Sequence, residues 1–509
     1  MRCSIFFKTM IPKPQLQDLK NIGYYSGKII IGMGLTMSVP MVIGLLFAEI
    51  NPALDFLLAF EITLIFGLIL TKLCFTEEHL SWVQGMIVAS LSWVIVMLLG
   101  AIPLYLSGHW NSYLDACFEL MSGFTTTGLT LVQDLDHLSS AHNLWRHFSM
   151  FIGGQGIVVI SLIFLVRGSA GAFRIYAGEG REEKLLPNVV ETARSIFVIS
   201  MVYLIVGTLA LWIAGISEGM PLRAALFNGA CIFMAAFSTG GFTPYSQNIL
   251  YYHSFIYEVI TIVILIIGAM NFNLHYTIWF RRRKEMVTNI EARVFFLSVM
   301  LTFLLMGAGL AKLGVYHGAS MLFRKGFYHL ISGHTTTGFA TVYARQFINE
   351  WGEIAVVMLT IAMGLGACAC STGGGIKMLR IGIVFKAFKE DLKRIILPDK
   401  AITIDKFHHI RDIFLEDKQV RSVLLITLSY LVLYVLGALI GILAGYPFLE
   451  ALFESTSAAA NAGLSCGITQ ATMPVALKLT YIFQMWIGRL EFMSVFALIG
   501  FIIAAIKGK

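Results

Sequence analysis

Four short stretches of the 509-residue chain combine glycine with hydroxyl-bearing or small residues in one pattern. They are Thr126, Thr127 and Gly128; Thr239, Gly240 and Gly241; Thr336, Thr337 and Gly338; and Asn461, Ala462 and Gly463. In each, the last glycine is followed at once by a large apolar residue: Leu129, Phe242, Phe339 or Leu464. Glycine has no Cβ to clash, so the chain can turn successive carbonyls toward a common axis. A ring of such carbonyls can replace the loosely held hydration shell of potassium. The hydroxyls of residues 125–127 and 335–337 can cap or coordinate. None of these loops holds Asp or Glu, so the pattern favours a carbonyl filter for a monovalent, weakly hydrated cation. Small residues also let membrane helices pack closely, but four copies, each after a short apolar segment, ask for more than packing.

A second glycine cluster, Gly364, Gly366, Ser371, Thr372, Gly373, Gly374 and Gly375, interrupts an otherwise continuous apolar run. Glycine is costly in helices, and non-helical backbone at membrane depth persists only where protein or a water cavity surrounds it. The cluster therefore reads as a flexible gating loop beneath the filter, with a simple helix kink as the rival reading. A phosphate-binding loop would need Lys after its last glycine, and Gly375 is followed by Ile376. Arg489 stands in the last apolar segment, where a charge is expensive. It acts either as an electrostatic barrier in the pore or as structural glue to Glu491 or loop carbonyls. Nine residues before the filter glycines stand Glu119, Ile232, His329 and Glu454, read as anchors of the short helices or attractors of cations.

The elements that must position these loops are membrane helices. The chain is 57% hydrophobic and only 13% charged, against about a quarter charged in soluble domains, and its mean hydropathy is +0.78. Apolar runs at 29–47 and 56–73 form an N-terminal hairpin. A unit of long helix, half-helix, glycine loop and returning helix then repeats four times. Its members are 82–106, 113–124 and 143–166; 195–216, 222–237 and 249–272; 292–313, 321–334 and 351–385; and 422–444, 448–460 and 474–505. The fold class is an all-α polytopic membrane protein of about ten transmembrane helices, with four pseudo-symmetric pore units around one central pore. The expected divisions are a cytoplasmic segment 1–28, a hairpin 29–80, and pore units 81–180, 181–284, 285–400 and 401–509.

The net charge of +7 resides in the loops 167–194, 281–293 and 377–421. Positive-inside topology explains it better than nucleic-acid binding. Segment 103–142 carries Asp115, Glu119, Asp134 and Asp136 but no Lys or Arg, so the glycine loops enter from outside and both termini are cytoplasmic. No cleavable signal peptide is expected within 1–28. The seven cysteines give no disulfide framework, and Cys368 and Cys370 read as packing rather than half a metal site.

These residues together resemble the Trk/Ktr/HKT superfamily of potassium uptake proteins, most closely its TrkH type. The resemblance rests on residues 122–128, 238–242, 332–339, 461–464, 371–377 and 488–491 and covers nearly the whole chain. It implies potassium as transported substrate, no cofactor, a homodimer in the bacterial inner membrane with one pore per subunit, and a cytoplasmic TrkA-type nucleotide-binding regulatory subunit. It also implies Gly128, Gly241, Gly338 and Gly463 as filter glycines, 364–375 as the gate and Arg489 as the pore arginine. Gly128 matches the potassium-preferring form rather than the sodium-preferring form with serine. Three features depart from the family: His334 replaces the phenylalanine of the first two loops, Ala367 and Cys370 replace gate glycines, and the fourth loop lacks threonine.

The alternative within transport is proton- or sodium-coupled symport, for which Glu61, His329, His334 and Glu454 are the relay candidates. An intramembrane enzyme is the remote alternative, since no HExxH or spaced His/Asp cluster occurs, and the GxSxG match at 463–467 falls in the fourth glycine loop rather than on a strand-to-helix turn. Residues 153–156 lack the third glycine and preceding strand of a nucleotide site.

Overall fold

The computed structural model describes residues 13–132, 134–156, 189–280, 283–398 and 405–507. These residues are nearly all helical. Among them, six helices are long and apolar enough to cross a membrane, starting with Leu16–Leu46, Ile50–Leu73 and Trp82–Leu106. Glu191–Ser217, Ile290–Lys312 and Asp417–Leu443 complete the set. Their outward faces carry Leu, Ile and Phe, such as Ile205, Leu301, Leu304 and Leu443, as a lipid-facing surface requires. Sequence chemistry sets several starts. Ser81 and Gln84 form a reciprocal capping box at Trp82, and Ser112 caps the first half-helix, Tyr113–Phe124. Pro221 and Pro447 precede the half-helices Leu222–Phe237 and Phe448–Ala459.

The returning helices differ from the continuous spans expected for the second and fourth units. Phe255–Ala269 is followed by Phe272–Phe280 at a bend of 103°, and Val475–Arg489 by Met493–Lys507 at 114°. Counting each bent pair as one span gives eight crossings among the described residues. Of the other two expected, 143–166 is described only to Gly156, the cap of helix Ser140–Gln155. The other is split into Gly352–Leu365 and Met378–Ile396 by the loop 366–377. Gly268 and Gly488 stand next to last in the helices that lead into the two bends, and no proline lies at either. At the fourth-unit bend Glu491 and Phe492 adopt φ of 53° and 72°, a region that bulky residues rarely enter. The expected loop 167–194 lies almost entirely outside the described residues, as do Arg281 and Arg282.

One small element departs from the all-helical expectation. Lys406–His409 and Arg411–Phe414 pair antiparallel, Lys406 opposite Phe414, with Ile410 at φ 64° in the turn.

Candidate functional site

The four glycine loops grow from the ends of the half-helices in the same way. Thr126 N–H donates to Gly123 O at 3.0 Å, and Thr127 N–H donates back to Ser122 O at 2.8 Å. The matching amides of Thr239 and Gly240, Thr336 and Thr337, and Asn461 and Ala462 repeat both bonds, at 2.8–3.3 Å. This is a Schellman ending, whose penultimate residue must be left-handed and is usually glycine. Here it is Thr126, Thr239, Thr336 and Asn461, at φ 56°, 52°, 56° and 55°. Three β-branched residues in that region are strained, and such strain persists where surrounding structure over-determines it. Asparagine tolerates the region better. The fourth loop, although it lacks threonine, therefore has the same backbone form as the others.

Two residues on, Gly128, Gly241, Gly338 and Gly463 also have positive φ, at 95°, 78°, 90° and 77°. A Cβ on Gly128 would fall on the carbonyl oxygen of Gly240, and one on Gly241 on that of Thr337. One on Gly338 would meet Ala462 O at 2.7 Å, and one on Gly463 would fall on Thr127 O. Each of these glycines thus abuts the carbonyl that precedes the next, and the contacts close in the order first, second, third, fourth, first. Thr126, Thr127, Thr239, Thr336, Thr337, Asn461 and Ala462 around this ring are fully buried, while Gly128 and Gly463 keep partial exposure.

The strand after the ring is held by the half-helix carboxylates. Glu119 accepts from Leu131 N–H at 3.0 Å and Thr130 Oγ1 at 2.8 Å, and pairs with Arg146 Nε at 2.8 Å. Glu454 accepts from Cys466 N–H at 2.9 Å and Ser465 Oγ at 2.8 Å. In the third unit His329 Nδ1 instead meets Lys325 O at 3.1 Å. His334 is buried behind the third strand, its Nε2 2.8 Å from Ser298 Oγ and its ring edge on Phe295.

Loop 366–377 lies against the helix-side face of all four glycine loops. Thr372 Oγ1 donates to Phe237 O or Gly268 O, at 3.0 and 2.8 Å, and lies 3.2 Å from Thr239 Oγ1. Thr126 Oγ1 reaches Thr372 O at 3.4 Å, and Gly374 N–H donates to Thr336 Oγ1 at 2.8 Å. On the fourth side a Cβ on Gly374 would fall on Ala460 O. The left-handed threonines therefore turn their hydroxyls to the loop, whereas Asn461 Nδ2 bonds Thr127 Oγ1 and Met485 O, each at 3.0 Å.

This loop also accounts for the second-unit bend. Cys368 N–H donates to Ala269 O at 3.1 Å, and Phe272 N–H to Cys370 O at 3.1 Å. Backbone groups freed where the helix breaks are thus satisfied by protein, as membrane depth demands. Within the loop Gly366 and Gly375 have positive φ, and a Cβ on either would meet the other strand. Ser371 Oγ bonds Cys368 O at 2.6 Å, Lys377 Nζ bonds Gly373 O, and Gly364 O takes Ile376 N–H at 3.1 Å. Arg489 is the last residue of its helix, not an interior one. Its guanidinium reaches Thr372 O at 2.5 Å and Gly153 O at 2.8 Å.

Several positions escaped sequence reading. Gly153, Gly268 and Gly488 let the returning helices touch the half-helix ends, since a Cβ on each would fall on Phe124 O, Phe237 O or Ala459 O. Their matching places in the repeat were the available signal. Glu291 is another: it accepts Ala369 N–H of the loop at 2.6 Å and Asn271 Nδ2 at 3.2 Å. Nothing local marks it.

Residues 55–504 match the TrkH family, described as a cation transport protein. This chain belongs to the TrkH family. It is 30% identical over 482 residues to an uncharacterized cation transporter of Methanocaldococcus jannaschii, covering 95% of both chains. It is 28% identical to the Trk system potassium uptake protein TrkG of Escherichia coli strain K12, covering 91% of this chain and 94% of that one. The crystal structure of the potassium transporter TrkH from Vibrio parahaemolyticus superposes with a TM-score of 0.81 at 26% identity, over 95% of this chain and 98% of that one. TrkH-family proteins are transporters, and this chain is a multi-pass membrane transporter, not an enzyme.

Proposed function

We propose that this chain carries potassium into the cell across the cytoplasmic membrane, the ion losing its water at the four glycine loops and then passing the loop 364–375. The closed cycle of glycine-to-carbonyl contacts carries this reading. Four equal backbone turns bring carbonyls together without a carboxylate, which suits a weakly hydrated monovalent cation. The ion-binding residues are Thr126 to Gly128, Thr239 to Gly241, Thr336 to Gly338 and Asn461 to Gly463. Residues 364–375 with Arg489 form the gate, since Thr372 touches three filter or neighbouring strands and Arg489 at once. The names of the relatives, potassium uptake proteins of the Trk system, agree with potassium as substrate.

The filter loops face outside and the termini the cytoplasm, in keeping with the acidic segment 103–142 and the basic loops. The family resemblance favours a homodimer regulated by a cytoplasmic TrkA-type subunit. Passive conduction is preferred to symport because, of the relay candidates, Glu454, His329 and His334 each hold a structural hydrogen bond and Glu61 stands on the exposed face of Ile50–Leu73. Purified protein in liposomes tests this. Potassium flux should exceed sodium flux and should persist without a proton or sodium gradient. Equal fluxes would refute the filter, and strict dependence on either gradient would refute passive conduction.

A further inference from the structure

On the gate-loop side of the protein a cavity of about 470 Å³ opens between helix ends and the small β-ribbon. Four helices begin at its wall: Trp82–Leu106, Met378–Ile396, Asp417–Leu443 and Met493–Lys507. Helix N-termini carry positive partial charge and unsatisfied N–H groups. Lys377, Arg380 and Lys418 add three cations, against Glu491 as the lone carboxylate in the lining. Arg380 and Glu491 pair with each other, which leaves the excess positive. Lys418 has no hydrogen-bond or ion-pair partner among the described residues. The cavity therefore has an unpaired cation and a field that favours an anion.

Its other walls are apolar. Met86, Ile383, Val423 and Ile426 line it, while Trp82 and Met493 stand at its mouth, 47% and 61% exposed. An exposed tryptophan beside a lysine at helix ends marks the level where headgroups meet acyl chains. A route for cations would not be lined by three basic side chains. We propose that this cavity binds the phosphate headgroup of an anionic phospholipid from the adjacent leaflet, its acyl chains leaving past Trp82 and Met493. Basic pockets between membrane helices bind such headgroups elsewhere. Ala369 and Cys370 of the loop 366–377 form part of the lining, so the lipid sits directly against that loop.

The test uses the full chain in nanodiscs of phosphatidylcholine, with and without phosphatidylglycerol. Unfolding temperature is read for the parent, Lys418→Gln, Ser422→Trp (which fills the cavity) and Lys389→Gln, an exposed lysine outside it. Phosphatidylglycerol should raise the unfolding temperature of the parent and of Lys389→Gln. The rise should be mostly lost in Lys418→Gln and Ser422→Trp, with Lys418→Gln weakening lipid titration about fivefold, the worth of one juxtamembrane cation. Soluble glycerol phosphate added to phosphatidylcholine discs should give no rise. An equal rise in parent and Lys418→Gln, an equal loss in Lys389→Gln, or a rise with soluble phosphate would each overturn the proposal.

Discussion

Arg489 donates to the carbonyl oxygen of Thr372 at 2.5 Å, joining the end of a fourth-unit helix to the middle of the third-unit loop. Its second nitrogen holds Gly153 O of the first unit. Three units therefore meet at one guanidinium. Hydrogen bonds to a charged group are worth roughly 1.5–3 kcal/mol. Arg489→Gln should loosen the loop from its place beneath the glycine loops and raise basal potassium flux by about tenfold. Deleting 365–373 should raise it further. Unchanged or lower flux in folded variants, measured in liposomes, would sink the gating role.

Gly338 combines φ of 90° with a backbone carbon of Gly463 2.9 Å from any added Cβ. Gly338→Ala and Gly338→Ser must push the third strand from the fourth, besides a conformational cost of roughly 1–2 kcal/mol. Potassium over sodium discrimination should fall by about tenfold or more, with membrane insertion retained. The ratio of ion fluxes in liposomes measures it.

Asn461 ties the fourth loop to the first through Thr127 and to its own returning helix through Met485. Asn461→Gly keeps the left-handed turn but loses both bonds, a loss of about 2 kcal/mol at roughly 1 kcal/mol each. Asn461→Ala adds the strain of the turn and should be less stable than Asn461→Gly. The reverse order of unfolding temperatures would show that the turn is not what the asparagine serves.

Glu119 and Arg146 are an ion pair with almost no exposure, 0% and 1%. Glu119→Ala strands the guanidinium and frees Leu131 N–H, so a loss of about 3–5 kcal/mol follows. Glu119→Ala with Arg146→Met should regain part of it. A double-mutant cycle by thermal unfolding checks this coupling.

His408 lies between Asp412 Oδ1 at 2.8 Å and Glu285 Oε1 at 2.9 Å, outside the membrane spans. These hydrogen bonds, first to Asp412 and then to Glu285, raise its pKa above the ordinary histidine value. A raised folded value stabilises the folded form at low pH: the contribution is complete below about pH 6.5 and fades as pH climbs through the raised value. Hydrogen exchange in Lys406–Phe414 should therefore be slower at acidic pH, after correction for intrinsic rates. His408→Gln should flatten that dependence.

Much of this site could be read from residue types because its signals are local. Glycine before a large apolar residue marks each of the four glycine loops, and a polar, glycine-rich break in an apolar run marks 364–375. The two helix bends were invisible for the opposite reason. Gly268 and Asn271 interrupt the apolar run only briefly, and the chain bends there because Cys368 and Cys370, far along the chain, satisfy the broken ends. Glu491 and Phe492 carry positive φ where their residue types give no hint of it. The ribbon was hidden too, since four-residue strands rich in His, Lys and Asp carry little periodic signal.

Composition and spacing alone dictated a membrane-embedded helical chain with four related glycine loops, because hydropathy and glycine's freedom are properties of single residues. Which carbonyl faces which glycine came only with the fold. The cyclic order of the loops, the threonines at φ near 55° and the reach of Arg489 across three units join residues hundreds of positions apart. Contacts of that range depend on how helices pack, and packing is a property of the whole chain.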